Sequence, residues 1–163
     1  MTTSDFERAI ASLDQEQTVQ GLLHTTCRTV VELVGGSACA ISRVVGDLLV
    51  GLEEFTRSRR PLEHGHEFLI SDFPLTQEVV EQGQARSLSR RDPDADAKEA
   101  ALLEQLGFES LLMVCLPAGG DCWGLVEVYG EGGSFDERRT EIAERIAAHA
   151  GDRLGELERR RMS

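Results

Sequence analysis

The chain has few basic residues for its size and no long hydrophobic run. Lys and Arg total 17 against 29 Asp and Glu, which gives a formal net charge of -12. Nucleic-acid binding depends on basic side chains that displace counterions from phosphates, so this balance argues against a nucleic-acid partner. No apolar stretch approaches the ~20 residues of a bilayer span, and no membrane partner is expected. The first residues lack the basic and then apolar order of a secretory signal, so we expect a cytoplasmic protein.

Cysteine is scarce and irregularly spaced. The four cysteines, at positions 27, 39, 115 and 122, lie mostly inside apolar runs. This placement predicts reduced, buried thiols rather than a disulfide framework. Cys115 and Cys122 flank a Gly-Gly turn and could approach each other, but the neighbouring charge of Asp121 disfavours a reactive thiolate. The residues by themselves therefore favour small apolar fillers, although thiol chemistry stays open as an alternative.

Histidine is scarce as well, and only His64-Gly-His66 has the spacing of a metal-binding pair. Alternate residues of a strand point the same way, so these two imidazoles would converge. No third ligand accompanies them, and a loop rich in charge explains the flanking glutamates. The sequence therefore predicts no functional metal site.

The segment from Phe108 to Tyr129 is the most informative part of the chain, because it reads as two strands joined by a Gly-Gly turn. The first strand is apolar almost throughout, which is typical of a strand covered on both faces. The second alternates, and its residues at positions 123, 125, 127 and 129 would share one face. Glu127 is the polar exception on that face. If it is buried, it needs a partner, and a ligand could supply one.

Hydrophobic periodicity, capping residues and turn residues predict the other elements. The first predicted helix is short and follows a capping box at Ser4–Glu7, and the next two are Val19–Val34 and Pro74–Gln82. The fourth is capped by Asp96 and Glu99 and ends at Gly107. The fifth is long, covers Asp136–Arg160 and begins at a capping box at Ser134–Glu137. The predicted strands are Ser37–Val45, Leu48–Phe55, Glu67–Ser71, Ala85–Ser89, Ser110–Pro117 and Cys122–Tyr129.

This order of elements predicts one α+β domain over residues 1–163, with a single antiparallel sheet of five or six strands and helices on both faces. The last helix would be roughly 37 Å long, which exceeds a small domain. Its apolar residues Ala143, Ala150 and Leu157 repeat at seven-residue spacing, as pairing with a partner helix would require. We therefore expect a homodimer through the terminal helices.

Three segments in this order resemble a GAF domain, the small-molecule sensor module of signalling proteins. They are Asp72–Val80, Gly107–Val114 and Trp123–Tyr129, and the resemblance covers roughly residues 17–157. It implies a GAF/PAS-like sheet with the N- and C-terminal helices on one face and short helices and loops over a ligand pocket on the other. The residues that this layout would place around the pocket are Phe68, Ile70, Phe73, Val79, Phe108, Ser110, Leu112, Trp123, Leu125 and Glu127.

The resemblance implies a non-catalytic sensing or regulatory domain of bacterial signal transduction, with a small-molecule ligand of unknown identity. The chain lacks the Asn-Lys-Phe-Asp-Glu signature of cyclic-nucleotide binders and the Cys-His pair of many bilin binders. A haem remains open, because some GAF sensors ligate iron through one histidine. His66 would be that ligand, whereas His24 and His149 are expected on helix faces. The alternatives are a thiol redox enzyme similar to free methionine-(R)-sulfoxide reductase, using Cys115 and Cys122, and a ligand-free interaction module.

Overall fold

A six-stranded antiparallel sheet forms the middle of the protein. The computed structural model describes residues 2–62 and 67–162. The strands are β1 (Ala38–Val45), β2 (Leu48–Thr56), β3 (Glu67–Leu69), β4 (Arg86–Ser89), β5 (Ser110–Ala118) and β6 (Asp121–Gly130). Their spatial order is β3-β2-β1-β6-β5-β4, and every neighbouring pair is antiparallel. The predicted α+β class and the predicted sheet are confirmed.

Helices cover both faces of this sheet. The helices are α1 (Thr3–Gln15), α2 (Val19–Val34), α3 (Pro74–Gln82), α4 (Ala97–Leu106) and α5 (Glu137–Met162), with a 3-10 turn over Ile70–Asp72. One buried cluster joins α1, α2 and α5 to one face, and we call these three helices the terminal-helix layer. A second buried cluster joins α3 and α4 to the other face. The predicted division into terminal helices on one side and short helices on the other is therefore confirmed.

The capping predictions at the two ends of the chain are each wrong by two residues. Thr2, not Ser4, caps α1: its hydroxyl accepts the amide of Asp5 at 3.1 Å, and the Asp5 carboxylate accepts the amide of Thr2 at 3.1 Å. Asp136, not Ser134, caps α5 by accepting a backbone amide of the first turn at 2.8 Å. Ser4 already lies inside α1, which begins at Thr3, and Ser134 lies three residues before Glu137, the first residue of α5. In each case the residue directly before the helix supplies the oxygen.

The long helix α5 packs against its own chain. The residues that suggested a partner helix, Ala143, Ala150 and Leu157, are buried in the core of the terminal-helix layer. Gly151 lets the helix lie directly on β5, because a Cβ there would overlap the carbonyl oxygen of Pro117. The seven-residue spacing therefore serves the core of this domain, and any dimer must use other residues of the helix. Of the helices in the two described ranges, none is long and apolar enough to cross a membrane.

A disulfide links strands β5 and β6 near the turn between them. Cys115 and Cys122 are bonded, with their Cα atoms 5.6 Å apart. The prediction of four reduced thiols is therefore wrong for this pair. The register pairs Cys115 with Leu125 and Cys122 with Pro117, but the hairpin still holds the two cysteines near enough to bond. It is confirmed for Cys27 and Cys39, which are free and buried.

Candidate functional site

A cavity lies between the sheet and helices α3 and α4, on the side away from the terminal-helix layer. The cavity volume accessible to water is about 30 Å³, which is room for roughly two waters. Most of its wall is apolar and comes from leucines together with Phe68, Ile70 and Phe73. Four polar groups, from Thr76, Glu99, Glu127 and Tyr129, interrupt that wall. An apolar cavity with a few convergent polar groups is the usual form of a small-molecule site.

Glu99 reaches from α4 to the start of α3. The residue before α3 is Phe73, which has no side-chain oxygen and so leaves the first amides of the helix without a local cap. The Glu99 Oε1 atom accepts the amides of Leu75 at 2.9 Å and Thr76 at 3.1 Å. The carboxylate therefore replaces the missing cap from a different helix.

Glu99 is only 5% exposed, and burial raises its pKa above the ordinary value of 4.5 although its hydrogen bonds to Thr76 and Leu75 act in the opposite direction. A carboxylate loses strong hydration when it is buried, so a full set of hydrogen bonds is needed to compensate. The Oε2 atom of Glu99 has no hydrogen-bond partner among residues 2–62 and 67–162. This carboxylate is therefore both a structural cap and a polar group of the cavity wall.

Glu127 and Tyr129 place polar atoms on the floor of the cavity. They are neighbours on one face of β6, with exposures of 6% and 1%, and the Tyr129 hydroxyl donates to Glu127 Oε2 at 3.2 Å. Burial and, after it, the charge of Glu127 raise the pKa of Tyr129 well above its ordinary value of 10.0. The phenol is therefore neutral and serves as a hydrogen-bond donor.

A second glutamate, Glu54, lies two strands from Glu127 on the same face of the sheet. Ala40 of β1 pairs with Glu127 on one side and with Glu54 of β2 on the other. The small alanine side chain between the two glutamates leaves space above this row of the sheet. Glu54 Oε2 accepts the amide of Leu62 at 2.7 Å, which holds that glutamate against the loop after β2. The cavity side of the sheet is therefore distinctly acidic.

The structure brings some of the predicted site residues together and separates others. Phe68, Ile70, Phe73 and Glu127 line the cavity. Three others lie on the same side of the sheet without forming the wall: Val79, Phe108 and Leu125. The ring of Phe108 packs on that of Tyr129 with centroids 5.3 Å apart, and its outer side faces a surface groove. What any of these residues binds stays a prediction.

The prediction that Leu112 and Trp123 lie at the cavity is wrong. Both pack in the terminal-helix layer, on the opposite face of the sheet. Leu112 points there because its neighbours in β5 point into the cavity side. Trp123 is the extra residue of a β-bulge, since Leu116 pairs with Gly124 while the next residue pairs with Cys122. The bulge reverses the side on which the indole lies.

Ser110 also lies on the terminal-helix side, since it shares its strand face with Leu112. The serine is 1% exposed and pairs with Gly130 of β6. A Cβ on Gly130 would come within 2.7 Å of the Ser110 hydroxyl oxygen. The serine therefore fills the space over a glycine and does not reach the cavity.

Several wall residues were not among the predicted site residues. Glu99 and Thr76 reach the cavity only because α3 and α4 pack against each other, and no local pattern encodes that contact. The position of Tyr129 at the cavity could have been predicted from the sequence, because Tyr129 shares a strand face with Glu127. The leucines at positions 49, 102, 103, 106 and 111 also line the cavity, and they read in the sequence as ordinary core residues.

Two of the four histidines that were considered as possible ligands of a metal or a haem lie in the described structure. His64 and His66 lie outside the described residues. His24 and His149 lie on α2 and α5 as expected, and they contact Glu53 at 3.2 Å and Asp14 at 2.7 Å, respectively. Within residues 2–62 and 67–162, no three His, Cys, Asp or Glu side chains are grouped as a metal ion would require.

The disulfide lies in a separate groove. Cys115 and Cys122 line an open surface groove between the end of α3 and the outer side of α5. Among the described residues, this groove and the cavity have no lining residue in common. Thiol chemistry at this pair would therefore take place away from the cavity.

Comparison with known proteins agrees with this arrangement. The model of the GAF domain family matches residues 18–154. The chain belongs to the GAF domain family. No curated protein matches this GAF domain.

Solved structures of bacteriophytochromes share its fold. The chromophore-binding domain of an unusual bacteriophytochrome from R. palustris superposes with a TM-score of 0.82 at 13% identity, over 97% of this chain and 61% of that one. That of Stigmatella aurantiaca gives 0.77 at 16% identity, over 93% and 59%. A far-red absorbing dark-state structure with bound biliverdin gives 0.80 at 18%, over 94% and 99%. This GAF domain thus spans about three fifths of the two bacteriophytochrome chains, and these likenesses concern the fold.

Proposed function

We propose that this GAF domain is a non-catalytic sensory or regulatory module of cytoplasmic bacterial signal transduction, which binds a small molecule in the cavity under α3 and α4. The bound molecule changes the packing of the terminal-helix layer. Ligand binding shifts a conformational equilibrium only when the two conformations bind the ligand with different affinity. The proposal therefore requires a physical connection between the cavity and the terminal helices.

The observation that carries the proposal is that a single sheet separates the cavity from those helices. Along β6, Glu127 and Tyr129 line the cavity, while Val126 and Val128 point into the terminal-helix layer. In β5, Leu111 lines the cavity and Leu112 points into the terminal-helix layer. A ligand that displaces either strand therefore also displaces residues packed on α2 and α5, because the core on that side is closely packed.

The size of the cavity bears on the class of ligand. A bilin is a linear tetrapyrrole, far larger than roughly two waters, so it does not fit the cavity in this conformation. The chain also has no adjacent cysteine and histidine for the attachment that many bilin binders use. We therefore propose a ligand of a few heavy atoms, even though one fold relative holds biliverdin.

We further propose that the domain acts as a homodimer through α1 and α5. The apolar stripe of α5 is used within the chain, so the contact would involve its outward residues, such as Glu141, Arg145 and Asp152. Opposite charges on one helix face can pair with the same face of a second copy. Sedimentation equilibrium over a range of protein concentrations tests this. We expect a dimer, and a monomer at every concentration would contradict it.

Native mass spectrometry of freshly purified protein tests the binding function. We expect a retained small molecule in the wild-type chain and its loss in Leu106→Trp, because the larger ring fills the cavity that Leu106 lines. Leu52→Trp is the matched control, since Leu52 is 43% exposed and does not line the cavity. It should retain the molecule. Retention by Leu106→Trp would place binding elsewhere.

A failure to retain any compound, followed by no binding from a fractionated cell extract, would favour a ligand-free interaction module. Circular dichroism spectra of both variants should match the wild type, so that loss of the compound reports on the cavity and not on unfolding. The thiol redox alternative would be supported by turnover of free methionine sulfoxide that Cys115→Ser abolishes.

A further inference from the structure

The buried polar atoms of the cavity indicate the charge of its ligand, and this inference rests on the function proposed above. Glu99 Oε1 is fully used: it accepts two amides of α3 and lies 3.5 Å from the Thr76 hydroxyl. Glu99 Oε2 is buried, belongs to a residue that lines the cavity, and has no hydrogen-bond partner among the described residues. A buried carboxylate oxygen without a donor is costly, so this atom is a site at which a donor from a ligand would be favourable.

The charges around this atom favour a positive ligand. Glu127 lines the same cavity and is almost fully buried, and Glu54 lies two strands away on the same side of the sheet. Among the described residues of the wall there is no Lys, Arg or His. The positive end of the α3 dipole acts on Glu99 Oε1 but offers no donor to Oε2. An anion would be repelled by the negative charges of Glu99 and Glu127.

The side chains of the cavity wall also indicate which kind of cation fits. A bare metal ion requires several oxygen or nitrogen ligands at once, and no such group occurs among residues 2–62 and 67–162. Phe68, Phe73 and the leucines instead offer apolar surface and aromatic rings next to the carboxylates. Aromatic faces attract organic cations, and apolar walls accept alkyl groups.

We infer that the ligand is a small organic cation, with an amidinium or ammonium group directed at Glu99 Oε2 and a short apolar part against the leucine and phenylalanine wall. The cationic N–H groups would donate to Glu99 Oε2, as in other charge-assisted hydrogen bonds. The ligand is then recognised through the same carboxylate that caps α3, so binding and the position of α3 are linked.

A series of three nearly isosteric probes tests the charge. Acetamidinium, acetamide and acetate have the same four-heavy-atom shape and are cationic, neutral and anionic. Each is titrated into the full chain and followed by backbone amide NMR. We expect acetamidinium to shift the amides of Leu75 and Thr76, which hydrogen-bond to Glu99, and to bind about tenfold or more tightly than acetamide. Acetate should not bind.

Two variants locate the contact. Glu99→Gln should weaken acetamidinium binding about tenfold or more, because a neutral amide replaces the charged acceptor. Glu104→Gln, which removes the same charge from an exposed position of the same helix, should leave it unchanged. Glu127→Gln provides a second test within the cavity should Glu99→Gln fold poorly, and we expect it to weaken binding too.

The outcomes separate this inference from the proposed function. Binding of acetamide or acetate as tightly as acetamidinium would overturn the cation while leaving the cavity a binding site. An equal loss in Glu99→Gln and Glu104→Gln would also overturn it, because net charge and not contact would then explain the affinity. If acetamidinium does not bind while the retained natural compound proves neutral or anionic, the inference is wrong and the sensing function stands.

Discussion

Removal of the Glu99 carboxylate should destabilise the domain through helix α3. In Glu99→Ala, the amides of Leu75 and Thr76 lose the acceptor that lies 2.9 and 3.1 Å away. Loss of a helix cap costs about 0.5–2 kcal/mol, and a buried donor left unsatisfied costs about 1–3 kcal/mol. Because Thr76 is buried and Leu75 partly exposed, we expect a loss of about 2 kcal/mol in the free energy of unfolding.

The assay is urea denaturation followed by circular dichroism, with thermal melting in parallel. For a domain of this size, the expected loss corresponds to a fall in Tm of roughly 4–8 °C. Glu99→Gln keeps an acceptor oxygen and should lose less than about 1 kcal/mol. The control Glu104→Ala changes an exposed glutamate of the same helix and should stay within about 0.5 kcal/mol of wild type. Equal stability of Glu99→Ala and Glu104→Ala would refute the capping role.

Three further predictions concern the titration of Glu99, the disulfide and Gly151. Burial raises the pKa of Glu99 above 4.5, so between these two pKa values the folded state retains a proton that the unfolded state releases. The stability of the wild type should therefore fall, relative to Glu99→Gln, as pH rises from 4.5 through the folded pKa. Urea titrations across that pH range measure this change. Reduction of the Cys115–Cys122 disulfide, which closes a separation of 7 residues, should lower the free energy of unfolding by about 2.5 kcal/mol on the loop-entropy account, as measured with and without reductant. Gly151→Ala should lower Tm strongly, because its Cβ would overlap a backbone carbonyl of β5. The control Gly155→Ala has only a flexible arginine side chain nearby and should be neutral or stabilising by up to about 1 kcal/mol. Equal effects of the two alanines on Tm would contradict the close approach of α5 to β5.

The sequence was sufficient for most of the architecture because the relevant signals are local. The glycines that end α2, α3 and α4 have positive φ of 81, 71 and 88°, as their positions after apolar helical stripes predict. The Gly-Gly turn and the alternation after it predicted the β5–β6 hairpin. The order of the elements then favoured an antiparallel sheet with helices on both faces.

Other features depend on contacts that no local pattern contains. The sequence predicts that Asp96 and Glu99 cap the start of α4, and Asp96 does cap that helix. Only the packing of α4 on α3 shows that Glu99 caps a second helix. Trp123 follows a regular alternation in the sequence, and a single bulged residue moves it to the other side of the sheet. The stripe of α5 shows which side is buried, but it cannot show whether the covering surface belongs to the same chain.

Hydrogen exchange of the backbone amides of α5 tests the central claim most directly. The full chain is compared with and without the compound that it retains, and Leu106→Trp serves as the control that lacks the cavity. The account predicts that the compound changes exchange both at the cavity, in α3 and α4, and across the sheet in α5, and that Leu106→Trp shows neither change. Changes confined to α3 and α4, with α5 exchanging at the same rate in both states, would contradict a sensing role transmitted through the terminal helices.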